Sequence, residues 1–98
     1  MSELLKLVLE TVKAVGDERE SQALMSATEE TLLFGENLDS MGIVFLVTDL
    51  EERISEELEV NITLADERAM SQRTSPFKSV KTLTKYTQTL INEAQAEQ

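Results

Sequence analysis

Leu38-Asp39-Ser40-Met41-Gly42-Ile43-Val44-Phe45-Leu46-Val47-Thr48-Asp49-Leu50-Glu51-Glu52-Arg53-Ile54 is the stretch whose reading decides the fold. Within it Ile43, Leu46, Val47, Leu50 and Ile54 return at the three- and four-residue intervals of an amphipathic helix, and the same stripe ends at Leu58. Asp39 is of the type that caps a helix start, so Ser40 becomes the first helical residue and Met41 and Gly42 the next two. Leu38 and Ile43 then hold the two positions of a hydrophobic staple, which fixes the angle at which the chain enters the helix. Ser40 therefore stands at the mouth of the second helix. Its hydroxyl lies beside backbone N–H groups that have no helical acceptor and carry partial positive charge, where a phosphodiester is stabilised.

Upstream, Leu5, Val8, Val12 and Val15 share a helix face while Lys6, Glu10, Lys13 and Asp17 take others. Ser2 can cap this first helix, about Glu3 to Val15, and Gly16 suits a left-handed closing turn. A long polar connection follows from Asp17 to Asp39. Thr28 to Leu33 is expected to form a short helical turn, with Leu33 and Phe34 folding back onto the core. Downstream, Thr63 opens a short third helix, about Leu64 to Ser71, and Ser75-Pro76 breaks the helical path. Ser79 caps a last helix with Val80, Leu83, Thr87, Leu90 and Ile91 inward and Lys81, Lys85 and Gln88 outward. Residues 1–91 are expected to form one ordered core, and 92–98 a fraying tail.

Composition narrows the function. Ninety-eight residues hold one domain, and few aromatics, three glycines and one proline favour helices over a β-sandwich. Cysteine and histidine are both absent, which removes disulfides, thiolate nucleophiles, zinc sites and histidine acid–base chemistry, and argues against a self-contained enzyme. The net charge of −10 argues against a nucleic-acid partner. Ten acids between Glu36 and Glu67 face the single base Arg53, whereas the chain from Arg68 onward is mildly positive. An acidic helix face of this kind is ordinarily just solvated. No apolar leader opens the sequence and its first apolar stretch is broken by Lys6, Glu10 and Lys13, so a cytoplasmic protein with no membrane insertion is expected.

With these residues in hand, the chain resembles the acyl carrier protein family, whose Gly-x-x-x-Asp-Ser-Leu/Met signature here reads Gly35-Glu36-Asn37-Leu38-Asp39-Ser40-Met41. The resemblance continues through Val44-Phe45-Leu46-Val47, Leu50-Glu51-Glu52, Val60-Asn61-Ile62, and more loosely Phe77 to Leu83 and Tyr86. It implies an all-α four-helix bundle of the acyl carrier type, with a short third helix and a long loop between helices I and II. It also implies a non-catalytic carrier in fatty-acid, lipid or polyketide-type biosynthesis, a monomer holding an acyl thioester on a 4′-phosphopantetheine arm. By the same resemblance Ser40 accepts the arm from coenzyme A through a phosphopantetheinyl transferase. Asp39 assists that transfer, and Met41 and Gly42 complete the attachment motif. Val47, Leu50, Ile62, Leu64 and Met70 are the candidates to line an acyl pocket, or are ordinary core. No metal is held by the carrier itself.

Typical fatty-acid carriers would have acidic residues at Gly42 and Phe45, and this chain has neither. The second helix also runs about one turn longer through Ser55-Glu56-Glu57, and the link from Met70 to Ser79 is longer. Leu38-Asp39-Ser40-Met41-Gly42 with Val44 and Leu46 is similar as well to D-alanyl carrier proteins, so an aminoacyl carrier is the alternative. A helical interaction module without a prosthetic group is the alternative of another class. On the helical wheel Met41, Phe45, Asp49, Glu52 and Glu56 share a face turned from the apolar stripe. This face is the candidate docking surface for acyl-loading and acyl-transfer enzymes with basic surfaces, with Gly42 leaving room beside the arm and Phe45 either exposed or tucked against Phe34 or Phe77.

Overall fold

A computed structural model describes residues 3–64 and 77–96, and among these the chain is all-helical, with isolated bridges but no strand. Four helices follow in order: α1 (Glu3–Glu18), α2 (Gln22–Met25), α3 (Ser40–Leu58) and α4 (Val80–Ala96). Helix α1 packs against each of the other three. That position explains its sequence. Leu4, Leu5, Leu7, Val8, Thr11, Val12, Val15 and Gly16 are all buried, a wider band than the Leu5–Val8–Val12–Val15 stripe alone. The inward faces of α3 and α4 follow the expected stripes, with Ile43, Leu46, Val47, Leu50 and Ile54 buried on α3 and Val80, Leu83, Thr87 and Ile91 on α4. Leu58 and Leu90 are half-buried at the margin. The two buried hydroxyls are satisfied within their own helices: Thr11 Oγ1 donates to the Leu7 carbonyl (2.8 Å) and Thr87 Oγ1 to that of Leu83 (2.7 Å).

The first helix does not stop before Gly16. It runs a further turn to Glu18 and closes in a Schellman arrangement, with Ser21 N–H donating to the Gly16 carbonyl (2.8 Å) and Glu20 N–H to that of Asp17 (3.3 Å). The left-handed residue is Glu20 (φ 55°). Gly16 serves packing instead. A Cβ there would lie 2.6 Å from Leu24 Cβ and 2.8 Å from the Met25 nitrogen, so hydrogen is the only substituent that lets α2 lie on α1.

The connection to α3 also differs from expectation. Its short helix is Gln22–Met25, capped by Ser21, not Thr28 to Leu33; Thr28–Thr31 is a turn, with Thr28 N–H donating to Thr31 Oγ1 (2.8 Å). Leu24 and Ala27 anchor this stretch in the core. Leu33 folds back fully and Phe34 partly. They are held by a strap of backbone bonds to the chain before and at the start of α4. Leu33 N–H donates to the Lys78 carbonyl (2.7 Å), Phe34 N–H to Phe77 (3.0 Å), Val80 N–H to Thr31 (3.0 Å) and Lys81 N–H to Glu29 (3.0 Å). The last two are first-turn amides of α4 that find no acceptor inside the helix. Ser79 caps that helix as expected, its Oγ accepting from Thr82 N–H (3.2 Å), while Thr82 Oγ1 accepts from Ser79 N–H (3.0 Å).

Helix α4 continues to Ala96, past the Asn92 at which fraying was expected, with Gln88 Nε2 donating to Asn92 Oδ1 (2.9 Å) and Ala94 against the core. Phe77 is fully buried and meets Tyr86 edge-on, ring centroids 6.3 Å apart. The expected third helix lies outside the described residues except for Leu64, which is buried and not helical; Ser2 and the Ser75-Pro76 break lie outside them too.

Gly16→Ala gains helix propensity of about 1 kcal/mol but overpacks the α1–α2 contact at a cost of about 1–3 kcal/mol. Chemical denaturation is expected to give a net loss of stability, and an unchanged or higher midpoint would show that α2 is free to move away.

Candidate functional site

The start of α3 is built from Leu38, Asp39, Gly42 and Ile43. Asp39 is the cap, extended in backbone, with Oδ1 accepting from Gly42 N–H (2.8 Å) and its carbonyl accepting from Ile43 N–H (2.9 Å). Leu38 and Ile43 are both buried and form the staple. Gly42 is buried between them. A Cβ at that position would come within 2.8 Å of Leu38 Cδ2 and 3.3 Å of Asp39 Oδ1. The space opened by the missing side chain is thus filled by Leu38 and leaves no approach for a partner, which corrects the role expected for Gly42. Before the cap, Gly35 turns the chain at φ 92°, its N–H donating to the Leu38 carbonyl (2.9 Å). Asn37 Nδ2 ties the loop to the Leu32 carbonyl.

Ser40 is exposed as the first residue of the helix, and its hydroxyl makes no hydrogen bond among the described residues. It faces an open groove that runs from the end of α1 to the loop before α3. Arg19, carried there by the extra turn of α1, sets Nη2 3.8 Å from Asp39 Oδ1. Spacing along the sequence gave no sign of that cation, because Arg19 reaches the site only through the extension of α1 past Gly16.

The face of α3 beyond Ser40 is apolar first and acidic later. Met41 is 67% exposed, Phe45 62% and Val44 44%. Phe45 therefore tucks against neither Phe34 nor Phe77. Val44 belongs to the same patch and was not singled out from the wheel, although its spacing of three from Met41 carries the signal. Glu52 and Glu56 are exposed on the same helix. Asp49 is turned part of the way toward α1, where its Oδ1 accepts from Arg53 Nε (3.3 Å) in a shallow groove with Ala14, Val15, Glu18 and Phe45. It is a paired charge and not part of a free acidic trail. Lys78, just before α4, and Lys81 and Lys85 on its first turns are exposed.

Of the acyl-pocket candidates, Val47, Leu50 and Leu64 are fully buried and Ile62 is half-buried beside a shallow groove toward α4; Met70 lies outside the described residues. The first three act as core in this structure. Among the described residues no group of three or more acidic, histidine or cysteine side chains is placed to hold a metal ion, and no helix is long and apolar enough to cross a membrane. Comparison with protein-family models, with curated proteins and with solved structures finds no match to this chain.

Loss of the cap should be measurable: Asp39→Ala is expected to lower stability by about 0.5–2 kcal/mol in chemical denaturation, and Asp39→Asn to keep most of it. Equal losses in the two variants would assign the effect to the Arg19 pair instead of the cap.

Proposed function

We propose that the chain is an acyl carrier in fatty-acid, lipid or polyketide-type biosynthesis, with Ser40 as the attachment residue for 4′-phosphopantetheine. The observation that carries the reading is Ser40 itself: an exposed hydroxyl, free of hydrogen bonds among the described residues, on the first residue of a capped and stapled helix. The carrier-type bundle, with its short third helix, belongs to the same proposal.

The residues present fit such a group. The Ser40 oxygen is accessible to a transferase, and the N–H groups of Ser40 and Met41 have no acceptor within the helix, so a phosphodiester on that oxygen would meet unpaired donors. Asp39 keeps most of its carboxylate in solvent, 70% exposed, while one oxygen caps the helix. It can therefore assist the transfer without releasing the helix. The arm, when bound, would supply the thiol that this cysteine-free chain lacks and hold cargo as a thioester.

Ser40 Oγ would displace adenosine 3′,5′-bisphosphate from coenzyme A, its proton passing to a base on the transferase. The chain's own part is to present that oxygen rigidly and to offer partner enzymes the Met41–Val44–Phe45 patch with Glu52 and Glu56 beyond it. Apolar contact would give affinity, and the acids would steer basic docking surfaces. Non-acidic residues at Gly42 and Phe45 favour the aminoacyl carrier as the second reading.

Incubation with coenzyme A, magnesium and a broad-specificity phosphopantetheinyl transferase is expected to add one phosphopantetheine mass to the intact protein, and Ser40→Ala to abolish it. Absence of labelling with several active transferases would leave the helical interaction module as the better reading. Because Phe45 is largely exposed, Phe45→Ala is expected to keep the melting temperature and the labelling of Ser40 while slowing loading by the cognate enzyme; unchanged loading kinetics would remove the patch from docking.

A further inference from the structure

Among the described residues the large apolar side chains left exposed are Leu32, Met41, Val44 and Phe45, and the last three fall within one turn of α3. Positions three and four apart on a helix are surface neighbours, so Met41, Val44 and Phe45 form one continuous patch. Met41 differs from the other two in its chemistry. Its thioether is attacked by two-electron oxidants, whereas the hydrocarbon side chains of Val44 and Phe45 are inert to them.

We propose that Met41 is an oxidation site through which hydroperoxides reversibly turn this patch polar while the fold stays intact. The inference does not need the carrier reading, since any partner seated on the patch would meet the added oxygen.

In the step itself Met41 Sδ forms a bond to the terminal oxygen of the hydroperoxide, the O–O bond breaks, and the terminal proton passes to the departing oxygen. Sulfur loses two electrons and the peroxide gains them. The products are a sulfoxide and an alcohol, or water when the oxidant is hydrogen peroxide. A sulfoxide reductase returns the thioether with two electrons from a dithiol, releasing water and leaving a disulfide.

Access and packing both single out this residue. Met41 is 67% exposed, whereas Met25 on α2 is half-buried. The cap and the staple at the start of α3 belong to Asp39, Leu38 and Ile43, and the Met41 side chain enters neither. Oxidation of a core methionine disrupts packing, but here a flexible apolar side chain becomes polar and chiral without a buried neighbour to displace. With only three side chains in the patch, one new oxygen alters a large part of it.

The test treats the full chain with hydrogen peroxide and follows it by peptide mass mapping, thermal melting and hydrophobic-interaction chromatography. The Met41 peptide is expected to gain one oxygen about threefold or more faster than the Met25 peptide, in line with its greater exposure. The oxidised protein should elute earlier with an unchanged melting temperature, and methionine sulfoxide reductases A and B with dithiothreitol should restore both mass and elution. Phe45→Ala, which removes a ring from the same patch, should also elute earlier and so calibrates the readout. Met41→Leu keeps the patch apolar, removes its sulfur and leaves the other three methionines in place, so peroxide should not shift its elution. Equal oxidation rates at Met41 and Met25, elution that stays fixed or moves equally in Met41→Leu, or a melting transition that oxidation abolishes in the wild-type chain but not in Met41→Leu would each overturn the proposal.

Discussion

Helix α1 must bury more than one face, and the rest of the molecule is arranged around that demand. Eight of its sixteen residues are buried, because α2, α3 and α4 all pack against it. The apolar surface of each partner helix is satisfied mainly at this central element, whose burial supplies the non-directional part of the stability. The directional part comes from two close approaches that only glycine allows. Gly16 brings α2 onto α1, and Gly42 lets Leu38 close over the start of α3. One glycine therefore shapes the core and the other shapes the site.

The consequence for chemistry is a serine held on a rigid platform. Ser40 follows a cap and a staple that fix the first turn of α3, while its own side chain takes no part in either. Rigid backbone and an unengaged hydroxyl are what a modifying enzyme needs of an attachment residue. A catalytic serine needs a base, and none stands within hydrogen-bonding distance of this one among the described residues. The extra turn of α1 adds a feature that is not local, the guanidinium of Arg19 across the groove.

Much of this was legible in the sequence, for a physical reason. The start of α3 is specified by residues within four positions of one another, and the inward stripes of α3 and α4 by simple periodicity, so Asp39, Leu38, Ile43, Ser79 and the buried positions could be read directly. What escaped depended on partners distant in sequence. Gly16 read as a helix terminator because glycine commonly ends helices, whereas its role is set by Leu24 and Met25 packing against it. Gly42 read as open space because Leu38 could not be seen to fill it. Gln22–Met25 carries one buried residue, Leu24, too few to produce a period. Asp49 read as a free acid because the wheel does not show which way a half-buried carboxylate turns toward Arg53.

The strap between residues 29–34 and 77–81 has a consequence for the order in which the chain assembles. The α1–α2 contact closes over a few residues, so its entropic cost is small and it can form early. Leu33 and Lys78 are about 45 residues apart, so their pairing carries a larger loop-closure cost. The loop that delivers Asp39 and Ser40 is thus held by local bonds and, at greater entropic cost, by the chain before and at the start of α4. Under the carrier reading proposed above, a modifying enzyme that reads this loop as well as Ser40 would act on completed molecules and pass over partly folded ones.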